Sequence, residues 1–229
     1  LMVAAAWGWD STYMLQQFGW KAALAVVINA SIVTWAMRHA LQAMPVAPSG
    51  GARIPATVVA VHIGQLAAVV LLAHHAVLFI GVFLLFLGYT HAYARHQSPL
   101  ILKEALLVGF FLAGLVVLGG LQSWWLQPLV ASMAPLALFF GALGLTAITD
   151  NAALTYLGSQ IAGMSDAAKY MLMSGAVAGG GLTVIANAPN PAGVALLKKG
   201  FSDESISIGG LLLGALGPTA IASLSFLLL

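Results

Sequence analysis

The sequence predicts an all-α integral membrane protein, a multi-span helical bundle that contains a re-entrant hairpin and a broken helix. Three observations predict it. The chain is 61% hydrophobic and 6% charged, with a mean hydropathy of +1.00, whereas a soluble domain carries about a quarter charged residues. So few charges cannot solvate a globular surface, so the surrounding solvent is lipid. Apolar runs close to the ~20 residues that a helix needs to cross a bilayer recur along the chain. One of those runs is interrupted by GGLTVIANAPNPAG, residues 180–193, a cluster of Gly, Asn and Pro for which a simple membrane helix has no use.

The spans follow in order. Residues 20–41, 54–73, 76–94 and 105–121 are continuous apolar runs, and residues 129–149 form another. A shorter piece covers 151–161, an interrupted one 170–197, and a last one 206–229. The connecting loops are short and leave no room for a water-soluble domain. Residues 1–229 therefore read as one transmembrane domain. Its scaffold helices lie in 1–121, and 122–229 holds the hairpin, the broken helix and the final helix.

Basic residues orient the chain. The loop at 38–53 carries Arg38 and Arg53, and the loop at 95–103 carries Arg95 and Lys103. Two crossings separate them, so both face the cytoplasm by the positive-inside rule, and Trp124-Trp125 falls on the opposite interface. Lys198-Lys199 must then return to the cytoplasmic side. That requires 129–161 to enter and leave by the outer face, as a hairpin or as two crossings. The second arm is too short to cross, which favours a re-entrant hairpin with its tip at Thr149-Asp150-Asn151. The net charge of +2 with dispersed basic residues argues against a nucleic-acid partner. The absence of cysteine excludes disulfides and thiolate metal sites.

Asp150 is the one acid well inside an apolar region; Asp10, Glu104, Asp166, Asp203 and Glu204 fall at segment ends or in loops. A carboxylate at membrane depth costs several kcal/mol and usually marks an ion or proton path. The alternative is a helix cap at a shallow loop. Thr146, Thr149, Asn151 and Thr155 add oxygen-bearing side chains around one turn, which suits a hard cation such as sodium.

The interrupted segment offers a second set of groups. If the helix continues to the prolines, Pro189 cannot donate to the carbonyl of Ile185, nor Pro191 to that of Asn187. Unpaired backbone is tolerated at that depth only where it is buried in protein or lines a wet cavity. Asn187 and Asn190 add amide groups. Discontinuous helices of this kind form ion sites in transporters; a simple proline kink is the competing reading. Gly175/Gly179 and Gly210/Gly214 have the small-xxx-small spacing that permits close helix approach, and Gly179-Gly180-Gly181 weakens the helix ahead of the break.

Six histidines include His74-His75, His91 and His96. They invite a haem-binding reading, but the five-residue step from His91 to His96 puts those two on different helix faces. The ordinary alternative is interfacial histidines plus a hydrogen-bonded His62 with Gln65 nearby. No phosphate-binding loop is present, so uphill transport would draw on an ion gradient or a partner.

TAITDNAALTYLGSQI (146–161) and GGGLTVIANAPNPAGVALLKKGF (179–201) together resemble the second half of the ion transporter superfamily, which includes sodium/proton antiporters, arsenite efflux permeases and dicarboxylate carriers. Within it they are most similar to the Putative Na+/H+ antiporter family of bacteria, as is WGWDSTYMLQQFGWKAAL (7–24). The resemblance implies one half of an inverted-repeat transporter of the bacterial inner membrane, whose hairpin tips and helix breaks meet near the midplane. It implies Asp150 and Asn151 at a tip and Asn187, Ala188, Pro189 and Asn190 at a break. Only one copy of the motif pair is present, and the chain begins with Leu1; both lead to the expectation of a fragment lacking its N-terminal half.

The expected function is sodium/proton antiport, with no enzymatic activity and no cofactor beyond the transported sodium and proton. The expected ion-binding set is Asp150, Asn151, Thr149, Thr146, Asn187, Asn190, Pro189 and the carbonyl of Ile185, with sodium held at Asp150, Asn151 and Asn187. The lipid bilayer, the ions and the missing half are the expected partners, and a homodimer is compatible. Alternatives are an arsenite or organic-anion carrier of the same fold and a haem-binding membrane subunit.

Overall fold

The structure is a computed structural model that describes residues 3, 6–44, 54–201 and 203–229. Arg53 of the first basic loop and Leu1 lie outside the described residues. The described chain is helical throughout and contains no strand. It divides into two units, one of residues 1–42 and 102–229, the other of residues 43–101.

In the larger unit the first long helix, α1, runs from Ser11–Ala36 with a π-helical stretch at Leu15–Gly19. Its 26 residues span about 39 Å at 1.5 Å per residue. A six-residue helix, α2 (Arg38–Ala43), follows. The apolar side chains Val26, Val27 and Trp35 of α1 are exposed, as expected of a helix that meets lipid. Among the described residues the closing helix, Ile208–Leu228, is the other single helix long and apolar enough to cross a membrane. The smaller unit supplies α3 (Ala56–Leu71) and α4 (Ala76–Ala92). Then come α5 (Leu102–Gly119) and α6 (Ser123–Ala131), which meet at a bend of 85°. Trp124 on α6 is exposed, and Trp125 donates to Gln122 Oε1 at 2.7 Å.

The remaining elements build the site. They are α7 (Pro135–Thr146), α8 (Asn151–Ser159), α9 (Asp166–Gly179), α10 (Asn190–Leu197) and the closing helix α11 (Ile208–Leu228). Pro135 opens α7, where its missing N–H costs nothing. At about 18 Å and 14 Å, α7 and α8 fall well short of the ~30 Å hydrocarbon core. Ser165 caps α9 by accepting from Ala168 N at 3.2 Å.

α7 and α9 pack side by side in the same direction. A Cβ on Gly175 would meet the Phe139 carbonyl oxygen, and one on Gly179 would lie 2.6 Å from the Leu143 carbonyl and 3.1 Å from Thr146 Cβ. Residue 139 therefore pairs with 175 and 143 with 179, a parallel register that only glycine permits at this separation. α8 runs back against α9. Gly158 faces Leu172 near the start of α9, while Asn151 faces Gly180 past its end. Leu138, Ala142, Leu172 and Ala176 form the apolar core between these helices. A second cluster, with Trp9, Phe18, Phe139, Met173 and Phe226, joins α7 and α9 to α1 and α11.

Within the smaller unit, His62 on α3 lies edge-on to Phe86 and Tyr89 of α4, at 5.8 and 5.7 Å between ring centroids. Its Nε2 is 2.6 Å from the Gln97 amide nitrogen. The partner of His62 is thus Gln97, not the nearby Gln65, whose buried amide bonds to no described residue.

The glycine contact yields a prediction. Gly175→Ala should lower stability by about 1–3 kcal/mol, the usual cost of overpacking. Gly144→Ala, at a position of α7 where a Cβ meets nothing within 4 Å, should leave stability unchanged or raise it by up to about 1 kcal/mol through helix propensity. Unfolding by SDS titration in detergent micelles measures both; equal effects would refute the tight α7–α9 contact.

Candidate functional site

The turn between α7 and α8 is built by back-bonding and capping. Thr149 Oγ1 donates to the Leu145 carbonyl at 2.8 Å, which closes the end of α7. Asp150 then leaves the helical region (φ −85°, ψ 139°), and its Oδ1 accepts from Ala152 N at 2.8 Å and Ala153 N at 3.1 Å. This is an N-cap arrangement, in which a side-chain oxygen satisfies donors that the first helical turn leaves free. Both bonds fall on Oδ1, and no described residue donates to Oδ2. Asp150 is half-buried, so its second oxygen remains available to a ligand. Cap and ligand are compatible roles for the two oxygens of one carboxylate.

The break begins earlier than the prolines imply. α9 ends at Gly179, and turns and bends with a single 3-10 turn, Val184–Ala186, follow before α10 starts at Asn190. Three consecutive glycines, with the highest backbone entropy cost in a helix of any residue type except proline's steric penalty, stop α9. Pro189 and Pro191 then sit at the start of α10, where no helix partner is lost. The premise that the helix continues to the prolines is not met. The Asn187 carbonyl is not freed, since it accepts from Asn190 N at 3.0 Å. Ile185, in the 3-10 turn, is exposed.

Asn190 closes the break. Its amide nitrogen donates to the Gly180 carbonyl at 2.9 Å and to the Thr183 carbonyl at 2.9 Å. Both amide hydrogens are thereby used on backbone carbonyls, of which that of Thr183 also accepts from Ala186 N at 3.3 Å, and Oδ1 alone remains for a ligand. Pro189 accepts from Gly193 N through its carbonyl at 3.2 Å.

Two contacts join the break to the hairpin tip. Thr183 Oγ1 donates to the Ala147 carbonyl at 2.7 Å. The Asn151 side chain lies against Gly180, with Nδ2 3.2 Å from where a Cβ would stand. Thr146 is fully buried, next to Gly179, and its hydroxyl bonds to no described residue. Among the described residues, the side-chain amides of the half-buried Asn151 and Asn187 also make no hydrogen bond. Thr155 is buried but satisfied, donating to the Asn151 carbonyl at 2.8 Å.

Of the residues singled out in the sequence, Thr146 and Asn151 lie against Gly179 and Gly180, Asp150 stands at the tip as the cap of α8, and Asn187, Pro189 and Asn190 lie in the break. Thr149 turns back onto its own helix, and Ile185 faces outward. Thr183 was not anticipated. It lies within the break motif, but a lone hydroxyl in an apolar run carries no spacing signal. No group of three or more His, Asp or Glu among the described residues could hold a metal ion.

Removing the Asn190 amide should expose the closure. Asn190→Ala leaves the Gly180 carbonyl without its donor and the Thr183 carbonyl with Ala186 N alone, at about 1–3 kcal/mol for an unsatisfied buried group. Hydrogen exchange should then accelerate across residues 180–190 and not in α11; unaltered exchange at the break would show that Asn190 does not close it.

No curated protein and no solved structure matches the chain. The family described as Putative Na+/H+ antiporter matches it over residues 1–229. That match, together with the apolar spans, marks an integral membrane ion transporter, and the chain belongs to the Putative Na+/H+ antiporter family.

Proposed function

We propose that the chain exchanges sodium for protons across the bacterial inner membrane, and that the hairpin tip and the helix break form its ion site. The observation that carries this reading is the Asp150 carboxylate. One of its oxygens caps α8 and the other bonds to no described residue, next in sequence to Asn151, whose side chain lies against the break at Gly180. The short α7–α8 pair acts as a re-entrant hairpin, and α9 with α10 as a discontinuous span. The arrangement corresponds to one half of an inverted repeat.

The mechanism is competition. Low polarity favours the neutral form of a carboxyl group and a bound cation favours the charged form. Asp150 holds a proton or a sodium ion, not both, and alternating exposure of the site to the two sides of the membrane gives exchange. The Asn151, Asn187 and Asn190 side-chain oxygens and the Thr146 hydroxyl complete a hard-oxygen shell. A hard cation takes its ligands from such carbonyl, carboxylate and hydroxyl oxygens, with no need of nitrogen or sulfur.

The anion-carrier reading is weakened by the geometry of Asn190. Both of its amide hydrogens are taken by backbone carbonyls, so it has no donor left for an arsenite or a carboxylate. The haem reading is weakened because the half-buried His62 already faces Gln97 through Nε2.

Two substitutions separate binding from folding. Asp150→Asn keeps an N-cap acceptor of equal quality and removes the charge. It should preserve thermal stability and abolish sodium-dependent proton flux in proteoliposomes; undiminished flux would sink the role. Thr146→Val deletes a hydroxyl without a partner among the described residues. Stability should change by no more than about 1 kcal/mol, while the KM for sodium rises; an unaltered KM would remove Thr146 from the shell.

A further inference from the structure

Lys21 on α1 is 7% exposed, a buried ammonium group in an apolar helix and outside the ion site. Its Nζ donates to the Tyr170 hydroxyl on α9 at 2.7 Å, and that hydroxyl in turn donates to the Phe226 carbonyl on α11 at 2.8 Å. Nζ lies 4.6 Å from the centroid of the Tyr170 ring, at its hydroxyl end, and 5.8 Å from that of the Trp20 ring. Phe18 stacks on Tyr170 at 5.0 Å and tilts against Phe226 at 6.1 Å. Among the described residues no carboxylate reaches Lys21; the one ion pair there joins Lys169 to Asp166.

A charge is an expensive filler for such a place. Apolar side chains of similar volume usually replace a buried charge at no loss of stability, and ionisable residues inside membrane segments are rare and functional. What the ammonium provides, and an apolar side chain does not, is a directional link. Through one hydroxyl it joins three helices. The π-helical stretch Leu15–Gly19 immediately before it brings both Phe18 and Lys21 into the protein; such bulges are frequent at functional positions.

The link acts on α9. Tyr170 sits near the start of that helix, and the break follows its end, about 14 Å further along the axis. Glycines 175 and 179 press the rest of α9 against α7, so α9 moves as a rod. We infer that Lys21 is a positioning residue of the transport site: through Tyr170 it pins the far end of α9 to α1 and α11 and so fixes where the break stands against the Asp150 tip.

The inference rests on the transport reading for its consequence but not for its test. The chain contains no cysteine, so Ala188→Cys places a single reporter in the break and His74→Cys an exposed control in the turn between α3 and α4 of the other unit. Maleimide labelling is compared in the wild-type, Tyr170→Phe, Lys21→Met and Lys21→Arg backgrounds. Tyr170→Phe and Lys21→Met should accelerate labelling at residue 188 by roughly 3-fold to 30-fold, the range of couplings carried through packed elements. Labelling at residue 74 should not change, and Lys21→Arg should restore the wild-type rate at residue 188.

Unchanged labelling at residue 188 overturns the inference, and so does equal acceleration at both reporters, which is general loosening. If Lys21→Met does not fold, Tyr170→Phe decides alone, since it deletes one oxygen and keeps the ring. In proteoliposomes the same variants should raise the KM for sodium and keep Vmax per folded protein. Accelerated labelling in a protein that moves no sodium would retain the link and reject the sodium reading.

Discussion

The closest constraint in the structure is the parallel contact of α7 with α9. Gly175 and Gly179 let the backbone of one helix rest on the carbonyls of the other, and no larger residue fits there. This contact sets the register, and the register brings the end of α7 level with the end of α9. The hairpin tip follows the first end and the helix break follows the second. Thr183 can reach the Ala147 carbonyl, and Asn151 can lie on Gly180, only because that level is shared. Without the glycines the polar groups of the two elements would have no common depth.

Given that level, the remaining difficulty is backbone polarity. A helix that stops inside an apolar environment leaves carbonyls and N–H groups that need partners. The chain solves this with two side chains of opposite function. Asp150 accepts from the first N–H groups of α8, and Asn190 donates to two carbonyls beyond the end of α9. Each solution is incomplete in a useful way. One oxygen of Asp150 and the oxygen of Asn190 are left over, and the leftover groups are all of the type that a hard cation prefers. The Lys21–Tyr170–Phe226 link holds the opposite end of α9, so the rod that carries the break is fixed at both ends.

The apolar helices were legible because hydropathy acts locally, although among the described residues only Ser11–Ala36, Ile208–Leu228 and, taken together, the bent α5–α6 pair reach the length and hydropathy of a span. Residues 54–73 and 76–94 anticipate α3 and α4 to within two residues at every boundary. The hairpin tip was legible from Asp150, because a cap residue followed by an apolar run marks a helix start whatever its depth. The break was legible as a region but not in its geometry. Prolines drew attention to residues 185–191, yet the glycines had already ended the helix at Gly179. Thr183 and Tyr170 escaped because their hydrogen bonds are long-range, 36 residues away in sequence for Thr183 and 56 and 149 for Tyr170, and no periodicity encodes such partners. Lys21 escaped for a related reason. A lysine beside a tryptophan near a segment end reads as interfacial, and only the packing of α9 and α11 around it makes it buried.

The central claim is that sodium and a proton compete for Asp150. Proton release on adding sodium to the purified protein, in weakly buffered detergent solution, tests it most directly. The account predicts release that saturates with sodium binding and disappears in Asp150→Asn. Sodium binding without proton release, or equal release from the Asp150→Asn protein, would contradict it.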